Sequence, residues 1–496
     1  MRYCRGILFL SLAILLVVPV SAQVSDVALQ QELQWDDPQW LERISRPLSL
    51  SECTQIALEK NLPLAVARMQ RKVSSEGVSA QYGDWLPELN LSSTRTTGVV
   101  KTQMADTLGI KFLEAVEENV NRLDAGITQR LPFGGGVTVG YSWSKSSQDR
   151  LSGFGGNISV VQPLLRNFGW NAATAGVNSA KIGERAEEEA LRAQTLSLMF
   201  EVESAYYAVI QAQQVIAVNE RAIERDESLL EFSQAKVEAK LATRRDVLSA
   251  EIVLEQDRGR LLTAQTAYRA SIDALADVMG LRVPTTITIV DTDLDEITIA
   301  ISEDEWIAQA MSENPAIRSA RFDFEQVQLD LKLSKNARLP QLDLEFRYDE
   351  NRNSVGDAGG SFIRPVERAW QGTVTASMPI FNSRPRAEAR SADLRYEQAR
   401  RVLLEAERQV GLLVREAIRD LQKSSDRIAV LKKTIEGAKD KVEFANVNFQ
   451  LGRADNFDIT DAQADLIEGE LDYTDELVSY YVARARLEQL LGGSIQ

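Results

Sequence analysis

The 496 residues contain no histidine, which removes histidine-based triads, proton shuttles and imidazole metal sites together. There are two cysteines, Cys4 and Cys53, too few for a disulfide scaffold or a thiolate metal cluster. Positive charge is short as well: 56 Lys and Arg stand against 72 Asp and Glu, a net charge of −16. A chain this acidic lacks the basic footprint a nucleic-acid binder needs to neutralise phosphates. No Gly-rich phosphate loop, nucleophile elbow or carboxylate pair in a cleft stands out, so no enzyme chemistry, cofactor or metal is expected.

Proline is missing where it would be most informative. None occurs between Pro163 and Pro284, or from Pro385 to the end. Two tracts of over a hundred residues, rich in Ala, Leu, Glu, Arg and Gln, predict long helices. In the first, Val202, Val209, Ile216, Ile223, Leu230 and Val237 form a seven-residue ladder, the signature of coiled-coil packing. In the second the ladder is Val414, Leu421, Ile428, Ile435, Val442 and Phe449. Every rung follows its counterpart at one constant offset, that from Val202 to Val414. Such helices extend ~60 residues before a turn near Leu241 or Gly452, on the order of 90 Å at 1.5 Å per residue. That is two to three times a bilayer's thickness, so they must project into water.

Upstream of each tract a second match appears with a different offset. Asn61-Leu62-Pro63-Leu64 parallels Asn314-Pro315-Ala316-Ile317, and Leu86-Pro87-Glu88-Leu89 parallels Leu339-Pro340-Gln341-Leu342, both at the offset from Asn61 to Asn314. One duplicated unit follows: repeat 1 over 48–281 and repeat 2 over 300–496, joined by a linker at 282–299. The second offset is the larger, so repeat 1 carries an extra segment, which must lie between the Leu-Pro motif and the long helix.

That interval has the period of strands. Leu342, Leu344, Phe346 and Tyr348 alternate with Asp343, Glu345, Arg347 and Asp349, an apolar face against a charged one. Gly372, Val374, Ala376, Met378 and Ile380 alternate with Thr373, Thr375 and Ser377 on the way back. In repeat 1, Leu89–Thr97 goes out and Ile158–Leu165 returns. The extra segment supplies a hairpin, with Ala125–Gln129 and Val137–Ser144 on either side of the Gly134-Gly135-Gly136 turn. A soluble sheet packed on one face shows the same alternation, so barrel and soluble sheet both remain. The alternating charges are expected to be solvated lining. Trp143, Trp170 and Trp370 fit an interfacial aromatic girdle or the junction with the helices. Four to six strands per chain fall short of the ~8 a single-chain barrel needs, so closure requires several identical subunits.

The N-terminus carries Arg2 and Arg5, an apolar run Ile7–Val20 and the small-residue site Val20-Ser21-Ala22. This predicts a signal peptide over 1–22. Residues 23–47, with Trp35, Pro38, Trp40 and Pro47, form an N-terminal extension of no legible role. Cys53 is expected to be a small buried residue at the start of the first helix.

The duplicated unit, the Leu-Pro entry to each first strand, Gln162-Pro163-Leu164-Leu165 and Met378-Pro379-Ile380-Phe381 before the long helices, and Gly452-x5-Asp458-x2-Asp461 at the second turn resemble the TolC-like outer-membrane efflux protein family. The resemblance covers essentially the whole mature chain and rests on the order of the motifs and the two offsets. It implies a mixed, helix-dominated fold: a trimeric outer-membrane β-barrel continued by a periplasmic α-helical barrel. It also implies contact with outer-membrane lipid, a periplasmic adaptor and an inner-membrane transporter, and the role of exit duct for efflux or type I secretion. A secreted trimeric coiled-coil adhesin and a passive porin are the other readings. The first would not duplicate a strand–strand–helix–helix unit, and the second would have no helix longer than a bilayer.

Candidate functional residues lie at the helical turns. Asp458 and Asp461 share a helix face, and Asp246 is the repeat-1 equivalent of Asp458. In the family the acidic pair of repeat 2 lines a closed periplasmic aperture. The competing reading is that Asp455, Asn456 or Asp458 caps a helix start. The family's closed-state lock uses a tyrosine three before the glycine of the tip and an arginine two after it. Here Phe449 and Ala454 occupy those positions, and Arg453 is one residue off. Around the tip residues Gly452, Arg453 and Asp455, the expected substitute is Arg245 pairing with Asp455 or Asp458.

Overall fold

The computed structural model describes residues 46–105, 111–146, 151–240, 243–281, 287–290, 302–357, 360–363, 366–381, 383–451 and 453–493. The signal-peptide segment, most of the N-terminal extension and Gly452 lie outside them. Repeat 1 runs α1 (Leu50–Lys60), α2 (Leu62–Gly83), β1 (Glu88–Ala105), β2 (Lys111–Arg130), β3 (Gly136–Ser146), β4 (Leu151–Pro163), α3 (Trp170–Ala173), α4 (Ala175–Glu238) and α5 (Arg244–Val278). Repeat 2 runs α6 (Glu303–Glu313), α7 (Pro315–Ala337), β5 (Gln341–Asp357), β6 (Gly360–Ile363), β7 (Glu367–Ser377), α8 (Ser383–Gln450) and α9 (Asn456–Leu491). Among the described residues no helix is long and apolar enough to cross a membrane.

Two compact units result, each built from both repeats. One comprises residues up to 62, 198–299 and 420–485; the other comprises 63–197, 300–419 and 486–496.

The second unit holds a single antiparallel sheet in the order β1-β2-β3-β4-β5, with β6 and β7 both pairing along the far side of β5. β6 and β7 thus share one strand position, and the sheet has six. The extra segment of repeat 1 accounts for two of them, the β2–β3 hairpin around Gly134–Gly136. Cross-strand register separates the faces completely at mid-sheet. One row reads Leu89, Ile127, Val139, Ile158, Tyr348, Trp370; a row on the other face reads Glu88, Thr128, Thr138, Ser159, Arg347, Gln371.

Among the described residues nothing covers the apolar face. Leu89, Ile127, Val139, Ile158, Phe346 and Trp370 are all exposed, Trp370 at 83%. A soluble sheet would bury this face, whereas a membrane strand presents it to lipid. Of the three tryptophans, Trp370 stacks on Tyr348 with ring centroids 4.5 Å apart. Trp143 pairs across the strands with Leu123 and Phe154, and Trp170 packs edge-on against Phe133. The apolar band also climbs across the sheet. On β5 and β7 it ends at Tyr348 and Trp370, above which Glu350 accepts from Tyr348 and Arg368. On β3 and β4 it continues further, to Trp143 and Phe154, level with Arg352. Strands tilted ~35–45° against a flat hydrocarbon layer require such a stagger.

The long helices pack by the expected ladder. Val414, Leu421, Ile428 and Phe449 are buried, and Val410, Ala417, Ser424, Leu431, Ala438 and Ala445 complete alternating steps of three and four. Part of the predicted linker is also built in: Leu48 bridges Ile289, its N–H donating to Thr288, and Ile287 and Ile289 are buried. Cys53 is fully buried in α1, and burial pushes its thiol up to about 12.

The two sequence offsets meet in one duplicated contact. Asn61, which ends α1, donates its amide to the carbonyl of Val278 at the end of α5 (3.0 Å). Asn314, which ends α6, does the same to Leu490 at the end of α9 (2.8 Å). Both long helices then close on a left-handed glycine, Gly280 (φ 74°) and Gly492 (φ 79°), with a Schellman bond, Leu281 to Ala276 and Gly493 to Glu488. A Cβ on either glycine would come within 2.7 Å of a backbone carbonyl, that of Lys60 or Glu313. Gly280→Ala and Gly492→Ala should each cost at least ~1–2 kcal/mol from the left-handed backbone alone. Gly183→Ala, in open space within α4, should be neutral or stabilising by up to ~1 kcal/mol. Thermal unfolding of the detergent-solubilised protein checks the contrast.

Candidate functional site: the paired helical turns

The α4–α5 and α8–α9 turns belong to the same unit and carry every site residue the sequence singled out. They are equivalent in detail. Thr243 and Asp246 begin α5 as Asp455 and Asp458 begin α9, at the offset that relates the two ladders. Asp246 accepts from the backbone N–H and the hydroxyl of Thr243, both at 2.8 Å. Asp458 accepts from the Asp455 N–H (3.0 Å), and Asp455 accepts from the Phe457 and Asp458 N–H groups (3.0 and 3.2 Å). These carboxylates satisfy N–H groups that a helix start leaves without partners. The Thr243 backbone N–H, then its hydroxyl, hold the Asp246 carboxyl below its ordinary value. Lys240, the repeat-1 counterpart of Gly452, turns the chain in the left-handed region at φ 62°. In the other turn the Arg453 N–H closes on the Asn448 carbonyl (2.8 Å).

Asp461 lies outside the cap. Its carboxylate pairs with Lys441 of α8 at 2.7 Å, and Lys441 also binds Asp465 at 2.5 Å. The two carboxylates raise the ammonium's pKa, Asp461 first. Arg245 is exposed beside Asp246. Among the described residues it makes no ion pair with Asp455 or Asp458 within one chain, so the expected substitute link does not form there.

What does lock the turns together is a set the sequence did not reveal. Asn456 is buried and donates its amide to both the Ser233 hydroxyl of α4 and the Asp246 carbonyl of α5, each at 2.9 Å. Lys236, in the last turn of α4, donates to the Phe449 carbonyl at 2.7 Å. Its ammonium also sits 3.5 Å from the centre of the Phe449 ring and 5.0 Å from that of Phe232. A cation against the C-terminal carbonyls of α8 complements the helix dipole, and the ring faces hold it as a cation–π pair. Partial burial lowers the Lys236 pKa, and Asp246 opposes the shift. The partners belong to different repeats, too far apart in sequence for any local signal. Beneath them Leu229, Ala250, Ala445, Phe449, Ile459 and Ala462 form an apolar core, with the equivalent residues Ala250 and Ala462 contributed by the two repeats.

The model of the outer membrane efflux protein family matches residues 53–281 and 306–493. The chain belongs to that family. CyaE of Bordetella pertussis is 25% identical over 297 residues, which is 58% of this chain and 61% of CyaE. The outer membrane protein TolC of Vibrio cholerae is 22% identical over 366 residues, covering 72% of this chain and 81% of TolC. The solved outer-membrane channel OprN superposes with a TM-score of 0.68 at 18% identity, over 93% of this chain and 91% of OprN. Membership places the chain in the outer membrane as an export channel and sets aside the adhesin and passive-porin readings.

Asn456→Ala should remove the donor that satisfies the buried Ser233 hydroxyl, at a cost of ~1–3 kcal/mol. Hydrogen exchange should then quicken in 244–250 and 456–462 and stay unchanged in the sheet. A uniform change across the chain would contradict a local lock.

Proposed function

We propose that three copies close the six-strand sheets into one outer-membrane pore, which serves as the exit duct of an efflux or type I secretion system. The observation that carries this reading is the sheet itself: an uncovered apolar face and six strand positions, with β1 and β6–β7 at its edges. Six strands fall below the ~8 of the smallest single-chain barrels, while three sheets supply ample strands and remove every edge. The polar face then lines the pore. Substrate would be handed over by an inner-membrane transporter through a periplasmic adaptor, and no chemistry is done on it.

Asp458 and Asp461 are assigned to the periplasmic aperture, with Asp246 and Arg245 beside them. Their local bonds do not oppose this. Asp458 caps α9 with one oxygen, and Asp461 shares Lys441 with Asp465, so two carboxylates stand against one ammonium on each chain. Brought together around an axis, such carboxylates attract cations in a narrow aqueous constriction. Arg245 reaches Asp455 or Asp458 of a neighbouring copy rather than of its own chain.

Single-channel conductance in planar bilayers tests the assignment. The Asp458→Ala, Asp461→Ala double variant should weaken block by a divalent cation about tenfold or more, the loss of ~1.4 kcal/mol of ion attraction. Block as strong as in the wild type would leave both residues as helix-start partners alone. Arg245→Ala should raise conductance in the closed state; unchanged conductance would remove the intersubunit link.

A further inference from the structure

The heptad seam of the first long helix is polar where that of the second is apolar. Asn219, Asp226 and Ser233 are all buried on α4, at the positions that Leu431, Ala438 and Ala445 fill on α8. Asn219 donates to its own helix, to the Val215 carbonyl, and Ser233 accepts from Asn456. Asp226 has neither option. It is 3% exposed and meets the carboxyl of Asp257 on α5, itself 2% exposed. Two carboxylates cannot hydrogen-bond each other without a proton between them.

Arg260 binds an Asp257 oxygen at 2.7 Å. Burial and the facing Asp257 carboxyl favour the protonated form of Asp226, whose Oδ2 finds no hydrogen-bond partner. Opposing charge is also present, and the Arg225 Nε and Nη2 atoms are buried without a hydrogen-bond partner. Arg225 on α4 and Arg260 on α5 are the cations that act on Asp226. The Asn456–Ser233 and Arg221–Glu470 contacts set the register of α9 against α4 and place uncharged Gln463 at this level, also buried. On α9 and α8, Asp461 and Asp465 are taken up by Lys441, and Glu227 and Glu255 by Arg258. Repeat 2 has no such pair, since Ala438 and Gly469 stand at the two equivalent positions.

We propose that Asp226 and Asp257 share one proton and form a pH-sensitive latch between α4 and α5, three to four helical turns from the ends of those helices at the tip. With the proton the pair bridges the helices. On its loss the O–H bond of Asp226 breaks, the proton passes to bulk water, and the two buried carboxylates, offset in part by Arg225 and Arg260, repel each other across the helices. That strain acts on the turn carrying Arg245 and Asp246.

Burial first, then the hydrogen bond and charge of Asp257, push Asp226 from 3.8 up to about 7. The folded chain thus binds more protons than the unfolded one between those values. The latch's stabilisation is full below 3.8, declines as pH rises between the two values and is gone above about 7. The chain has no histidine, and the Cys53 thiol is pushed up to about 12. Among the described residues Asp226 is the side chain whose pKa is pushed close to neutrality.

The test uses the full-length protein in detergent, with infrared spectroscopy and hydrogen exchange at pH 6 and pH 8. The wild type should show a protonated-carboxyl C=O band at pH 6 that is lost at pH 8. Exchange in 244–257, corrected for the intrinsic pH dependence, should quicken about tenfold over the same step, one pKa unit's worth of coupling. Asp226→Asn, which keeps a donor to Asp257 but cannot titrate, should lack the band and exchange equally at both pH values. Asp226→Ala carries the residue of repeat 2 and serves the same comparison if the Asn variant does not fold. A wild type without the band at pH 6, or with pH-independent exchange, would overturn the latch, as would a variant that keeps the pH step.

Discussion

An apolar sheet face that the chain cannot cover is the constraint on which the rest depends. Folding normally buries such a face, at ~25 cal/mol per Å² of area removed from water. Here Leu89, Ile127, Val139, Ile158, Phe346 and Trp370 stay exposed, and the sheet ends in open edges. In the proposed assembly lipid covers the face and further copies of the sheet pair with the edges. The polar opposite face and the stagger of the apolar band are consistent with that single requirement. So is the ion-paired belt of Glu350 and Arg368 beyond Tyr348 and Trp370.

Duplication supplies the scaffold and divergence supplies the specialised parts. Asn61 and Asn314 clasp the ends of α5 and α9 in the same way, and Gly280 and Gly492 allow the same close approach. Asp246 and Asp458 begin their helices alike. Against this background the departures mark function: the β2–β3 hairpin, Lys236 against Phe449, the buried Asn456, and the polar seam of α4. The hairpin and the polar seam belong to repeat 1, and the Lys236–Phe449 and Asn456–Ser233 contacts join the two repeats.

Much of the fold was legible because its determinants are local and periodic. Alternation in Leu342–Asp349, the seven-residue ladders and the two offsets identified strands, coiled-coil helices and the position of the inserted hairpin. The strands of repeat 1 proved longer than expected. Lys111–Asn121 carries Glu114, Glu117 and Glu118 in no alternating pattern, so its pairing with β1 left no trace in composition. The site was legible only in part. Asp246, Asp455 and Asp458 sit three residues from their partners at helix starts, a spacing that sequence displays. Lys236–Phe449, Asn456–Ser233 and Asp226–Asp257 join residues on different helices, and only three-dimensional register brings them together. Asp226 did leave a sign, a charged residue at a seam position that alanine fills in the other repeat.

The most direct test of the central claim is the mass of the detergent-solubilised particle, measured with the detergent contribution removed. Three chain masses are expected, and the particle should persist on dilution because separation would expose both sheet edges. A stable particle of one chain mass that still forms an ion-conducting pore in a bilayer would contradict the account, since six strand positions would then have closed alone.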